Sequence, residues 1–451
     1  MPHRTPERIA IVGAGPCGLA CGHELRQLGH DSTTIYERAD VAGGHAGSEV
    51  DPAGFTWDQG GHVVFSHYGE FDRLLDETIG TDVHEHERSS FVLVGGRWVP
   101  YPFQNNLRHL DVEDAYDCLI GLIDAPGANG TVDFASWMNA TFGAGITNRF
   151  MRPYNLKVWA TPPELMSATW IAERVSVVDY RRALRSVLLE LDDVGWGPNN
   201  TFRFPRSGGT GEIYRRLAGR LADRVRYGRE VVRVDITRRA LEFSDGTSEE
   251  YDALVSTMPV DQLVGAIADC PSAVRAAAAT LEHNSVYVVG VGCERPLADD
   301  RSWLYFADEH IPFYRVTNFA KYAAANVPDG DTRRYSSYLT ETAYSGHRPR
   351  QRAGHEQTVV GGLVTAGLID NAVPIASLHT IDVAYAYPIP TLQRDAALRV
   401  VQPWLMEHGI YSRGRFGSWR YEIGNMDHAA KMGVDVARFL IEGRPEELWS
   451  L

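Results

Sequence analysis

An α/β protein built on a Rossmann-type nucleotide-binding unit follows from three features of the 451-residue chain. A glycine-rich turn lies between two short strand patterns, helical periodicity fills the middle of the chain, and a second glycine-bearing turn precedes a late helix. The length implies two or three domains and a core that needs no disulfide or metal staple. Hydrophobic residues at 44% and charged residues at 23% place the chain among ordinary globular proteins and exclude disordered and collagen-like classes.

Residues 8–12 (RIAIV) read as a short buried strand that runs into Gly13-Ala-Gly-Pro-Cys-Gly18, then a helical pattern ending at Gly29, then a second strand over 33–36 tipped by Glu37. In that setting Gly13 makes the tight turn, Gly15 lets the backbone approach a pyrophosphate, and Gly18 brings helix against strand. Glu37 is placed to accept hydrogen bonds from a ribose diol. NAD and FAD both use such a unit. The Gly43-Gly44 pair and the late Gly424-Asn425-Met426-Asp427 turn, ahead of a helical pattern over 434–441 that stops at Gly443, favour FAD. A late helix can set its positive end by a flavin ring while Asp427 accepts from ribityl hydroxyls. A surface helix with an Asn/Asp cap would show the same residues.

From Asp111 the texture changes. Val112, Ala115, Tyr116, Leu119, Ile120 and Ile123 recur at three and four residues, and Phe134, Trp137, Met138 and Phe142 do so after Thr131, giving a helical insert over 108–195. Between 225 and 259 short extended runs surround a tight turn at Asp245-Gly246. With no repeat and no long linker, the domains are expected to interleave rather than follow in series.

The net charge of −14 supplies no overall positive field, so no nucleic-acid partner is expected. Five scattered cysteines without a CxxC pair, and a polar N-terminus, point to a reducing cytoplasmic setting, with no metal set assigned. The longest apolar stretch, 359–369, is broken by two glycines and falls short of the roughly 20 residues a bilayer span needs, so no membrane association is expected.

Five segments carry a resemblance: 60–68 (GGHVVFSHY), 99–106 (VPYPFQNN), 151–159 (MRPYNLKVW), 196–205 (WGPNNTFRFP) and 412–422 (SRGRFGSWRYE). In content and order they resemble the UDP-galactopyranose mutase family, most closely its eukaryotic-type branch, over essentially the whole chain. The resemblance implies an FAD-binding domain (1–80, 200–265 and 408–451) interleaved with the helical insert (108–195) and an antiparallel β-sheet substrate domain (81–107 and 266–407). It also implies an isomerase that interconverts UDP-galactopyranose and UDP-galactofuranose without net redox, through a covalent intermediate between the sugar and N5 of reduced FAD.

By the same resemblance Arg174 and Arg315 are the diphosphate arginines, a role that suits the planar guanidinium because a departing UDP develops negative charge. Tyr305, Tyr387 and Tyr421 fall at diphosphate positions, Tyr101, Phe103 and Gln104 at the uridine pocket, and Asn155, Trp159 and Asn199 along the sugar and nucleotide channel. His62 lies in the loop beside flavin N5, where Gly60 and Gly61 give the backbone freedom to turn a carbonyl, and Arg88 matches an arginine near that loop.

The chain departs from the family pattern at His45 (usually leucine), Met426 (usually glutamine) and 385–390 (YAYPIP, usually His-Gly-Tyr-Pro-Thr-Pro). All three lie toward the flavin or sugar end, so a variant acting on a pentose or deoxy sugar stays open beside galactose. So do a redox flavoenzyme of the amine oxidase or desaturase kind and a flavoprotein that binds nucleotide sugar without isomerising it. No second glycine-rich turn is evident, so NADPH as reductant would have to react at the sugar cleft. A homo-oligomer also stays open.

Overall fold

The computed structural model describes residues 5–171, 174–195 and 200–449. A five-stranded parallel sheet runs in the order Ile410–Ser412, Ala253–Ser256, Ile9–Val12, Thr33–Tyr36, Val225–Arg226. Side chains alternate between its two faces. Ile9, Ile11, Ile35 and Val255 pack against helices Pro16–Gln27 and Met426–Glu442, while Ala10, Val12, Tyr36 and Leu254 pack toward the small antiparallel sheet Val231–Asp235, Ala240–Phe243, Ser248–Glu250. The two helices lie backbone to backbone, since a Cβ on Gly433 would come within 2.2 Å of the Cys17 carbonyl oxygen. The small sheet turns at Asp245-Gly246, as the sequence indicates, with Gly246 at φ +81°.

A seven-stranded sheet forms the second layer, in the order Ile375–Pro388, His283–Cys293, Ser336–Tyr344, Arg315–Asn318, Trp303–Phe306, Ser90–Val94, Arg97–Pro100. Its neighbours are antiparallel except for Trp303–Phe306 beside Ser90–Val94, which run parallel. That exception to the antiparallel expectation has a topological cause. The two strands come from segments on either side of the helical insert, so no hairpin dictates their relative direction. Gly290 and Gly292 let Trp57 and Phe55 lie flat on this sheet, where a Cβ would meet their rings at 2.5 and 2.6 Å.

The helical part contains Val112–Ile123, Phe134–Ile146, Arg152–Trp159 and Tyr180–Leu188. Helix Val112–Ile123 forms as the periodicity indicates, but Val112, Tyr116, Ile120 and Ile123 face outward, and Ala115, Cys118, Leu119 and Leu122 are the buried ones. Glycine contacts decide which face is covered: a Cβ on Gly143 would sit 2.0 Å from Gly121 O, and one on Gly145 2.6 Å from Asp117 O. The cap of the next helix is Asp133, whose Oδ1 accepts from Ser136 N at 2.8 Å. Among the described residues, no helix is long and apolar enough to cross a membrane.

Candidate active site

The glycine turn after Ile9–Val12 has the shape a dinucleotide needs. Gly13 takes φ +101°, and a Cβ on Gly18 would sit 1.9 Å from Gly13 O, so helix and turn close only without side chains. Gly15 opens instead onto Gly43 and Gly44, with their nearest atoms 3.8 and 3.9 Å from where its Cβ would be. Two bare turns thus flank one cradle. Glu37 is pinned at the strand tip: its Oε2 accepts from Ala14 N at 2.7 Å and its Oε1 from Ala39 N at 3.0 Å, leaving further lone pairs for a diol.

Beyond the turns, a cavity of about 270 Å³ opens where the parallel sheet, the helical part and the large sheet meet. One part of its wall holds Gly60, Gly61 and His62, with Asn425, Met426 and Asp427 at the N-terminus of helix Met426–Glu442. Gly424 sits just behind, its carbonyl accepting from Arg415 Nε at 2.8 Å. Asp427 is 1% exposed and accepts from His67 Nδ1 at 2.8 Å and His428 Nδ1 at 3.0 Å, one on each oxygen. Burial opposes its ionisation, yet those hydrogen bonds hold its carboxyl below the usual carboxylate range.

Burial keeps His62 and His45 neutral, pushing their pKa values down to about 3 and about 4, with Arg415 adding to both shifts. His62 lines the cavity, and its Nδ1 is buried with no hydrogen-bond partner among the described residues, an orphaned polar atom in the cavity wall. Bare cradle, anchored carboxylate, helix N-terminus and orphaned imidazole together fit an FAD.

The rest of the lining is cationic and aromatic. Arg88, Arg174, Arg315 and Arg415 line the cavity against two carboxylates, Glu341 and Asp427, a local positive excess in a chain of net charge −14. Arg174 donates through Nη2 to Glu422 O at 2.6 Å and lies 5.5 Å from the Tyr421 ring. Arg315 is paired with Glu341 and lies 4.7 Å from the Trp303 ring. Burial works against its charge, but the Glu341 carboxylate more than compensates and holds the guanidinium above its ordinary pKa. Arg415 has no such carboxylate among the described residues and is pulled below its usual value by burial.

Tyr101 and Tyr305 stand 4.9 Å apart, Arg88 donates to Tyr305 Oη at 2.7 Å, and Arg88 lies 4.9 Å from the Trp303 ring that Arg315 also faces. Trp159, Tyr387 and Tyr421 form a second aromatic group, with ring centroids 4.7 to 6.1 Å apart. Gln104 donates to Ser176 O while its buried Oε1 lacks a partner among the described residues, so a ligand N–H would complete it. Asn155 is anchored by its Nδ2 to Met151 O at 2.7 Å and also reaches the lining.

One placement corrects the uridine set. Phe103 is fully buried against Phe150, 4.9 Å away, and does not reach the cavity, because the 3-10 turn Phe103–Asn105 sends adjacent side chains in different directions. Asn199 lies outside the described residues. Sequence reasoning missed Arg415, Tyr154, Trp303 and Glu341, all of which line the cavity. Arg415 and Tyr154 lie inside segments already singled out, 412–422 and 151–159, whereas Glu341 has no local signal.

Comparison with known proteins gives these features a context. The model of the flavin-containing amine oxidoreductase family matches residues 16–439. A crystal structure of reduced UDP-galactopyranose mutase is 37% identical and superposes with a TM-score of 0.95, covering 99% of this chain and 96% of that one. A putative protoporphyrinogen oxidase from Exiguobacterium sp., 16% identical with a TM-score of 0.73, covers 97% of this chain and 99% of its own and shares the fold. A zeta-carotene desaturase from Synechocystis sp. is 35% identical over 144 residues, 28% of this chain and 29% of that protein. The chain thus spans under a third of the length of the curated relatives it matches. Near-complete mutual coverage at 37% identity, on a chain whose cavity joins a flavin cradle to paired arginines, makes this protein a member of the UDP-galactopyranose mutase family, within the flavin-containing amine oxidoreductases.

Proposed function

We propose that this protein is an isomerase that interconverts UDP-galactopyranose and UDP-galactofuranose with no net oxidation, working with its FAD reduced. The observation that carries this reading is one cavity whose lining brings two arginines and a cluster of tyrosines together with a flavin cradle. When bound and reduced, the flavin supplies an electron-rich centre able to attack the anomeric carbon of the sugar.

The chain's own residues supply the rest. Gln104 Oε1, buried and without a partner among the described residues, reads an N–H on the base edge, with the Tyr101 ring beside it. Arg174 and Arg315 hold the diphosphate from two sides and stabilise the charge that develops as the sugar–oxygen bond breaks. Tyr305, Tyr387 and Tyr421 add hydroxyl donors without further charge. Neutral His62 offers a hydrogen bond at the sugar and flavin end without placing a second cation there. Trp159 and Asn155 wall the cavity and limit the water that would capture an activated sugar.

The test is to incubate UDP-galactopyranose with the purified flavoprotein before and after dithionite reduction and separate the nucleotide sugars by chromatography. A furanose peak that appears only after reduction supports the reading. No furanose from the fully reduced, flavin-loaded protein overturns it. UDP-arabinopyranose run in parallel tests the pentose variant left open by the departures at His45, Met426 and 385–390.

A further inference from the structure

Arg315 and Glu341 are direct partners across the antiparallel pair of strands Arg315–Asn318 and Ser336–Tyr344. Arg315 Nη2 donates to Glu341 Oε1 at 2.6 Å and Arg315 Nε donates to Oε2, while Tyr314 Oη donates to Oε1 at 3.2 Å. The carboxylate side chain is 3% exposed and the guanidinium 14%. A carboxylate that grips the Nε–Nη2 edge of the planar fork fixes the direction of the remaining N–H groups. The same carboxylate also backs the flavin-side turn, since a Cβ on Gly60 would meet Oε1 at 3.3 Å and one on Gly61 would meet Oε2 at 3.4 Å.

We propose that Glu341 is a positioning residue: it aims the free edge of the Arg315 fork at the diphosphate and ties that aim to the Gly60–Gly61 turn. This rests on the reading of Arg315 as a diphosphate ligand. Its chemical consequence is a split between affinity and turnover. An amide at 341 would set N–H against N–H along one edge, so the fork turns and the alignment needed as charge develops is lost. The amide also removes a negative charge beside a polyanion, which favours UDP binding. The two effects oppose each other in affinity, whereas only the loss acts on turnover.

The experiment is a double-mutant cycle of Glu341→Gln with Arg315→Lys, a background that keeps the charge and lacks the fork, read by kcat of the reduced holoenzyme and by calorimetric UDP binding to the oxidised holoenzyme. In the otherwise unchanged enzyme, Glu341→Gln is expected to lower kcat about tenfold and leave the UDP Kd within about threefold; on Arg315→Lys the loss in kcat is expected to shrink to about twofold or less. An equal kcat loss in both backgrounds, or none in either, overturns the proposal. Glu341→Asp, which keeps the charge but withdraws the carboxylate, carries the same cycle if the amide variant does not fold. Wild-type turnover and UDP binding in Arg315→Lys itself would instead overturn the reading of Arg315 as a diphosphate ligand, so the two failures are distinct.

Discussion

Replacing Gly61 with alanine adds one methyl group where the flavin-side turn meets the arginine strand. Gly61 does not adopt a positive φ, so its backbone accepts alanine, and the effect is purely one of space. The new Cβ would lie 2.5 Å from Thr317 Oγ1 and 3.4 Å from both Arg315 Nε and Glu341 Oε2. Thr317 is fully buried on strand Arg315–Asn318 and β-branched, so it cannot swing aside. Either the turn or the strand must therefore retreat by roughly 0.9 Å, the gap between 2.5 Å and an ordinary contact of about 3.4 Å.

A displacement near 1 Å in a catalytic array costs on the order of a hundredfold in rate, and overpacking of this size costs about 1–3 kcal/mol in stability. The assay is furanose formation by the reduced enzyme, with flavin content and thermal melting measured alongside. Thr317 Oγ1 has no hydrogen-bond partner among the described residues, so Thr317→Ala removes the obstacle without orphaning another group. Gly61→Ala combined with Thr317→Ala is expected to recover turnover to within about tenfold of the parent. Parent-like turnover in Gly61→Ala alone, or a double variant no better than the single one, would refute the close packing between turn and strand.

Other expected outcomes probe the rest of the molecule. Arg174→Ala removes a half-buried donor whose polar partners among the described residues are a carbonyl and a ring, so melting should stay unchanged while kcat/KM falls about a hundredfold; a loss below about threefold would remove Arg174 from the diphosphate site. Gly18→Ala would put a Cβ 1.9 Å from Gly13 O, so the purified protein should carry little flavin by absorbance at equal protein concentration; full flavin loading would show that the turn does not hold the cofactor. Asp58 is fully buried beside Ser48 and Thr210, and burial lifts its carboxyl to about 6 from 3.8. Because the folded form holds the proton more tightly, its contribution to stability is full below pH 3.8 and is lost as pH rises through about 6. Asp58→Asn should therefore flatten the pH dependence of melting across that window, by an effect on the order of 3 kcal/mol, and an unchanged pH profile would count against it.

Local features of this chain were legible without coordinates. The strand, glycine turn, helix and second strand sit within residues 9–36, where alternation of two and periodicity near four speak directly. Arg174 and Arg315, far apart in sequence, were named only through their motif context, and they line the same cavity. What stayed hidden depends on pairings between distant segments. Glu341 becomes part of the site because sheet register sets it opposite Arg315, and nothing near residue 341 announces this. The outward face of helix Val112–Ile123 was equally opaque, since apolar residues occur on both of its sides and glycine contacts choose between them. Phe103 and Gln104 are neighbours in sequence, yet one packs on Phe150 and the other lines the cavity, a division made by a single 3-10 turn.

Catalysis without net redox makes a countable demand on electrons. An anaerobic sample reduced with one equivalent of dithionite per flavin, then given excess UDP-galactopyranose, should form many furanose molecules per flavin while the flavin spectrum stays reduced. Product that stops at one molecule per flavin, or an oxidised sugar formed as the flavin changes redox state, would contradict the mutase account and leave a redox flavoenzyme in its place.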